Sequence, residues 1–263
     1  RAMSLNPHMA DWTGRRVWIV GASSGIGRAT AALLHARGAQ VVVSARGEAA
    51  LDTFTQAHPG SFSVALDSTD AKAVQAAADR LRAQGPLHLV CYCAGTYESQ
   101  NAADFDLAAM LRHDDVNYRG ALNVLAAVLP SLLSNAASGA DAHICLVSSV
   151  AGFCGLPRGL AYGPTKAALT HLAEGLYLDL HAKGVGVSVV HPGFVDTPLT
   201  ASNPFPMPAL TTPEAAARSI VRGWERGRFE IAFPRRFTLA MKFLRLLPYA
   251  LFFPVVRRFT GQA

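Results

Sequence analysis

Short apolar runs rich in β-branched residues recur along the chain at 16–22, 40–45, 61–67, 87–94, 143–149, 185–191 and 229–233. Alanine-rich stretches with helical spacing separate them, at 25–37, 48–57, 71–83, 107–133, 162–182 and 213–226, and Gly38, Gly85 and Gly184 stand where several of these helices should stop. Runs such as Val41-Val42-Val43 and Val187-Ser188-Val189-Val190 have no polar face, which predicts strands covered on both sides. Strand and helix in alternation then predict an α/β fold, a doubly wound parallel sheet of about seven strands with helices on both faces. Residues 198–212 break the pattern. They carry prolines at 198, 204, 206 and 208 and no periodicity, and so read as a loop of the length that often forms a lid.

With 263 residues, 51% of them hydrophobic, the chain can bury one full core. Residues 1–8 lack periodicity and read as the remnant of an expression tag ahead of a start at Met9, which leaves 9–263 as a single domain ending in an apolar-basic arm, 234–263. The net charge of +6 changes this picture little, because nine of the 24 Lys and Arg residues follow Ile220. No basic face with interleaved aromatic groups appears elsewhere, and nucleic acid is not expected as a partner. The four cysteines sit in or beside apolar runs without the paired spacing of a metal site. Reduced thiols in a cytoplasmic protein, with no metal, are the expectation.

Gly21-Ala22-Ser23-Ser24-Gly25-Ile26-Gly27 joins the first expected strand to the first expected helix. Glycines there let the backbone approach a pyrophosphate at a helix N-terminus, although such turns also serve packing alone. Tyr162 and Lys166 lie four residues apart on an expected helix and so share a face. An ammonium at that distance would lower the phenol from its ordinary pKa of about 10 and make it a usable acid or base. Ser149 ends the fifth expected strand, thirteen residues earlier. Carbonyl reduction needs such a set: a hydride donor, a hydrogen-bond donor that polarises the oxygen, and an acid for the developing alkoxide. A Tyr-Lys pair or a strand-end serine alone is ordinarily structural.

The GxxxGIG spacing at 21–27 resembles the fingerprint of the short-chain dehydrogenase/reductase family. Family-like motifs continue in order to about residue 233: Asp67, Cys93-Ala94-Gly95, Asn117-Tyr118-Arg119-Gly120, Ser148-Ser149, Tyr162-Gly163-Pro164-Thr165-Lys166 and Pro192-Gly193-Phe194-Val195-Asp196-Thr197. The resemblance implies a Rossmann-type sheet, a nicotinamide cofactor and a homodimer or homotetramer that pairs helices 107–133 and 162–182 across a two-fold axis. It implies Tyr162 as acid/base, Lys166 as holder of the ribose hydroxyls, Ser149 on the substrate oxygen and Asn117 as anchor of a water in a proton relay. By the same resemblance Gly21, Ser23, Ser24, Gly25, Ile26 and Gly27 cradle the cofactor and Asp67 meets its adenine. Ala94 and Gly95 then lie beneath it, and Pro192, Gly193, Val195 and Thr197 close over the nicotinamide. The chain departs from the family at Tyr92-Cys93, where relatives carry two asparagines, the first of which braces the central sheet.

Charge at the end of the second strand bears on the cofactor. An acid there would bond the ribose 2′-hydroxyl of NAD and repel a 2′-phosphate. The position is Ala45, followed by Arg46, whose guanidinium suits a phosphate with help from Ser23. NADP(H) is therefore expected, the alternative being that Arg46 is a solvated strand-end residue. Ser24 stands where many relatives carry a second basic group.

Past Phe233 the chain continues as Pro234-Arg235-Arg236 and a long apolar-basic segment, an ending similar to that of relatives acting on lipid-like or steroid-like ketones. Lys242, Arg245, Pro248 and Pro254 interrupt it too often for a membrane span. If helical, it places Arg235, Thr238, Lys242, Arg245 and Tyr249 on one stripe, and two readings stand: an interfacial helix against acidic lipid, peripheral at the membrane surface, or an arm packed on this subunit or a partner. Phe153, Leu156, Phe194, Leu199, Phe205 and Met207 are the expected pocket lining and imply a hydrophobic carbonyl substrate. The function expected is thus NADPH-dependent oxidoreduction. The alternative is a catalytically silent dinucleotide-binding regulator on the same fold.

Overall fold

In a computed structural model describing residues 4–201, 203 and 207–261, the apolar runs form seven strands. They are β1 (Arg16–Val20), β2 (Gln40–Ala45), β3 (Phe62–Ala65), β4 (Leu89–Tyr92), β5 (His143–Val147), β6 (Gly186–Pro192) and β7 (Glu230–Phe233). All pair in parallel in one sheet of order β3-β2-β1-β4-β5-β6-β7. The order reverses direction between β1 and β4, which opens a crevice beyond the carboxyl ends of those strands.

Alternate side chains of the central strands feed two cores. Trp18, Val20 and Val42 pack with Val74, Leu125 and Leu169 from α3 (Ala71–Ala83), α5 (Gly120–Ala137) and α6 (Tyr162–Leu180). Val17, Ile19, Val41 and Val43 pack with Leu34, Phe54 and Ile220 from α1 (Gly25–His35), α2 (Glu48–Ala57) and α7 (Pro213–Glu225). The unbroken apolar runs are thus strands buried on both faces.

Three details differ from the sequence reading. The strands at 61–67 and 87–94 are shorter; at their carboxyl ends Leu66-Asp67 and Cys93-Ala94 turn away into loops that line the crevice. The helix expected at 107–133 is α4 (Leu107–Asp114), a π-helical turn (Asp115–Arg119) and then α5, which runs on to Ala137. Residues ahead of Met9, set aside above, are part of the fold where they are described. The buried side chain of Asn6 donates to the Val187 carbonyl at 2.7 Å and accepts from the Val187 N–H at 3.0 Å, while the Leu5 and Asn6 N–H groups both donate to the Gly227 carbonyl.

The C-terminal arm folds as two helices, α8 (Arg235–Arg245) and α9 (Tyr249–Thr260), with Pro248 between them. Thr238 of the expected stripe is buried, and Lys242 bonds the Glu230 carboxylate, so part of that stripe faces the protein. Glu230 in turn meets Nδ1 of buried His191 at 3.1 Å. Burial would raise the Glu230 pKa, yet the bonds to His191 and Lys242 outweigh it and bring the carboxyl down to about 2.

Candidate active site

The first strand ends where Gly21 passes β4. A Cβ on Gly21 would lie 2.3 Å from the Ala94 nitrogen, so the turn can run against residues 93–94 only as glycine. Gly25 has φ +55, a left-handed backbone that opens α1. Ser24, the N-cap of α1, makes no side-chain cap, and no acidic side chain stands in the first turn. The positive dipole end of α1 thus meets the crevice with neither a side-chain cap nor a carboxylate of its own, which suits an anion.

The crevice has a volume of about 590 Å³. Gly21, Ser23, Ser24, Gly25, Ile26, Gly27, Arg46, Asp67, Ala94, Gly95, Pro192, Gly193, Val195 and Thr197 all line it, as do Ser149, Tyr162 and Lys166. Arg46 is exposed at the mouth, beyond the end of β2, next to Ala45. Asp67 is held by its Oδ1, which accepts from the Thr69 N–H and hydroxyl at 2.9 Å each. The turn after β6 is tied to β7 through the Gly193 N–H, which donates to the Phe233 carbonyl at 2.7 Å.

At the other end α6 begins at Tyr162, and one helical turn brings Lys166 beside it. Lys166 Nζ lies 5.4 Å from the centre of the Tyr162 ring and donates to the Val147 carbonyl at 2.9 Å. Burial pushes the Tyr162 phenol up to about 12, with a hydrogen bond to Ser149 working the other way. Burial also pulls Lys166 down to about 8. This corrects the expectation that the ammonium lowers the phenol: desolvation dominates, and the ammonium is engaged by a carbonyl rather than by the phenol oxygen.

Asn117 is buried beside this centre and does not line the crevice. Its Oδ1 accepts from the Thr96 N–H at 2.7 Å, and its Nδ2 donates to the Thr96 carbonyl at 3.1 Å and to Thr165 Oγ1 at 3.0 Å. With both amide hydrogens committed, the side chain pins the turn after Gly95 to α6, which makes Asn117 a positioning residue. The π-helical turn that holds it is tied to the sheet by Tyr92, whose phenol donates to the Val116 carbonyl at 2.5 Å and meets Ser68 Oγ at 3.0 Å. Tyr92 therefore braces this region where relatives are expected to use an asparagine.

Tyr97 was not singled out from sequence, and Cys93 and Ser148, read there only as parts of motifs, have surroundings that the motifs do not report. Tyr97 lines the crevice, its ring edge-on to Tyr162 with centroids 5.3 Å apart; its place in the loop after β4, at the switch point, was the available signal. Cys93 also lines it, its thiol pushed up to about 12 by burial. Ser148 donates to the Lys166 carbonyl at 2.7 Å and meets Thr170, which contacts His191 at 3.0 Å, a chain of bonds that nothing in the spacing signals. Of the expected apolar lining, Leu199 faces the crevice, whereas the Phe153 ring packs on His191 and the Phe194 ring on Phe237. Phe205 lies outside the described residues.

A family model described as short chain dehydrogenase matches residues 15–205. An uncharacterized oxidoreductase of Myxococcus xanthus (strain DK1622) is 34% identical over 255 residues, spanning 95% of this chain and 99% of the relative. A short chain dehydrogenase/reductase from Burkholderia phymatum, solved in complex with NAD, superposes with a TM-score of 0.80 at 25% identity, over 89% of this chain and 94% of that one. A structure described as ribose-5-phosphate isomerase from Brucella melitensis 16M superposes with a TM-score of 0.76 at 26% identity, over 85% and 93% respectively.

Proposed function

This chain belongs to the short chain dehydrogenase family and is an oxidoreductase, and on that premise we propose that it uses NADPH to reduce the carbonyl of an apolar substrate, with Tyr162 as the proton donor. The observation that carries this reading is the convergence of Ser149, Tyr162 and Lys166 on one crevice whose other end is the uncapped N-terminus of α1.

The residues present fit a dinucleotide. The α1 N-terminus takes the pyrophosphate, Asp67 the adenine, and Lys166 the ribose hydroxyls. The choice of NADPH over NADH rests on Ala45 and Arg46: no carboxylate stands at the end of β2 to repel a 2′-phosphate, and a guanidinium stands next to it. The bound dinucleotide supplies the hydride that reaches the carbonyl carbon. Ser149 Oγ and the Tyr162 phenol hold the carbonyl oxygen, and the proton moves from Tyr162 Oη to that oxygen as negative charge develops there. A phenol held at about 12 by burial is protonated at neutral pH and ready for this step. Tyr97 and Leu199 give the substrate end its apolar surface. Sugar isomerisation, the activity in the name of the Brucella structure, calls for no dinucleotide and would leave the α1 terminus and Arg46 without a role.

The test is a panel of apolar ketones and aldehydes with NADPH, read by loss of its absorbance. Turnover of a member that stops in Tyr162→Phe supports the reading. Dinucleotide binding without turnover of any carbonyl would instead make the chain a silent binding protein, and absence of binding would end both.

A further inference from the structure

The outer face of α8 and α9 is apolar, and we propose that it docks on a membrane surface containing anionic lipid. α8 is apolar on more than the side it turns to the protein, where half-buried Phe237 and Met241 lie. The same side carries Thr238, at 3% exposure, and beside it the partly exposed Lys242 reaches back to bond Glu230 and lies 5.6 Å over the Phe153 ring. Its outer side carries Leu239, Phe243 and Leu246, spaced by four and then three residues and exposed by 59, 67 and 79%. That spacing makes one continuous stripe on the helix. Amphipathic surface helices put the apolar stripe inward, and a contiguous apolar patch left outside marks an interaction surface.

The face continues on α9. Phe252 and Val256 are buried and hold the helix to the body of the protein, while Leu251, Phe253 and Phe259 are exposed by 57, 53 and 84%. The Tyr249 ring stacks on Phe253 with centroids 5.4 Å apart, an aromatic pair at the junction of the two helices. Tyrosine with phenylalanine and leucine on a short helix lying flat is the side-chain set that inserts at the headgroup boundary.

Charge selects the occupant. Residues 234–263 contain six Lys and Arg residues and no Asp or Glu. Arg236, Arg257 and Arg258 are exposed around the apolar stripe. A second copy of the chain meeting this face across a two-fold axis would set the same cations against one another with no carboxylate between them. Anionic headgroups pair with the arginines while the acyl boundary takes the leucine and phenylalanine side chains, so one surface satisfies both halves of the pattern.

The arm also touches the active site. Phe237 of α8 packs on the turn after β6, where a Cβ on Gly193 would lie 2.9 Å from its ring, and its centroid is 5.7 Å from that of Phe194. On the reading of an apolar carbonyl substrate given above, the docked enzyme would draw that substrate from the lipid phase beside the crevice.

The test is sedimentation of the full chain with phosphatidylcholine vesicles, with and without phosphatidylglycerol, in the absence of substrate, so that it is independent of turnover. The chain should pellet with the anionic vesicles and be released by high salt. Phe243→Ser with Leu246→Ser should lower the bound fraction by about tenfold or more, since each removes an inserted apolar side chain. Unchanged dinucleotide binding reports that this variant is folded. Arg257→Gln with Arg258→Gln should lower binding to anionic vesicles by on the order of tenfold, and provides a second route if the first variant does not fold. A chain that stays in the supernatant with every vesicle, or variants that bind like the parent, would overturn the proposal. So would a face covered by protein, seen as an assembly that ignores vesicles and dissociates when Phe243 and Leu246 are replaced.

Discussion

Tyr92 and Gly120 occupy one another's space: a Cβ on Gly120 would stand 2.2 Å from the Tyr92 phenol oxygen and 2.8 Å from Ser68 Oγ. The tyrosine at the end of β4 and the glycine that opens α5 are therefore a single device, which ties the sheet to the π-helical turn carrying Asn117. Tyr92→Phe leaves the Val116 carbonyl and the Ser68 hydroxyl short of a buried partner, at a cost of about 1–3 kcal/mol. Gly120→Ala alone should cost about as much by overpacking. The double variant should cost less than the sum, because the ring without its hydroxyl leaves room for the new methyl group. Urea midpoints of the four proteins measure this, and strict additivity would contradict the shared contact.

Much of this arrangement was legible because the sheet is parallel. Every motif that falls at the carboxyl end of a strand is delivered to the same edge, so Gly21, Arg46, Ala94, Ser149 and Gly193 meet although they are far apart in sequence. The π-helical turn was not legible, since its residues have ordinary helical spacing and the widening answers to the contacts of Tyr92 and Asn117. The pKa order at Tyr162 and Lys166 was not legible either, because spacing places the two groups on one face but does not report how deeply both are desolvated. On α8 the stripe could be read but not which way it faces. Glu230 on β7 and Phe153, far away in the sequence, draw Lys242 toward the protein. The part played by Asn6 rests on its two bonds to Val187, a partner 181 residues away.

Arg46 is expected to select the cofactor. Arg46→Ala should weaken NADPH binding by about 1–3 kcal/mol, the range of a charge-assisted hydrogen bond, and leave NADH nearly unaffected. Binding titrations of both dinucleotides to both proteins give the answer. Equal affinities in the parent would remove the argument from charge, because Arg46 is free to turn to solvent from its exposed position.

The proposed homodimer or homotetramer should use α4, α5 and α6. Leu111, Leu122 and Leu178 on these helices remain exposed by 55, 38 and 78%, more apolar surface than a face turned to water requires. Light scattering should give a mass of at least twice 27.8 kDa. Leu178→Glu should shift the population toward the single chain. A parent protein that is monomeric at micromolar concentration would place these leucines outside any interface.

Tyr162 and Lys166 have separable jobs. Tyr162→Phe removes the transferable proton and keeps the ring, so NADPH should still bind while turnover falls by about a hundred- to ten-thousand-fold, the usual worth of general acid catalysis. Lys166→Ala should harm binding as well as rate, since its ammonium is assigned to the ribose. The pH dependence follows from burial. Tyr162, held up to about 12, stays protonated across the ordinary range, whereas Lys166, drawn down to about 8, loses its charge as pH rises through that value. Reduction should therefore slow above about pH 8, and in Lys166→Arg, whose guanidinium stays charged beyond about pH 12, the descending limb should move upward or disappear. For stability the sign is opposite. The unfolded lysine keeps its proton up to its ordinary value of 10.5 while the folded one has released it, so this residue makes the fold more stable as pH rises from about 8 to 10.5. Cys93, held up to about 12, works the other way above its ordinary value of 9, so the signature of a buried Lys166 is a rate that falls while the parent's unfolding midpoint rises relative to that of Lys166→Arg, in which the cysteine contribution cancels. If Tyr162→Phe instead kept near-parental turnover with NADPH bound, the proton would have to come from another group, and the assignment of Ser149, Tyr162 and Lys166 as the reacting centre would have to be abandoned.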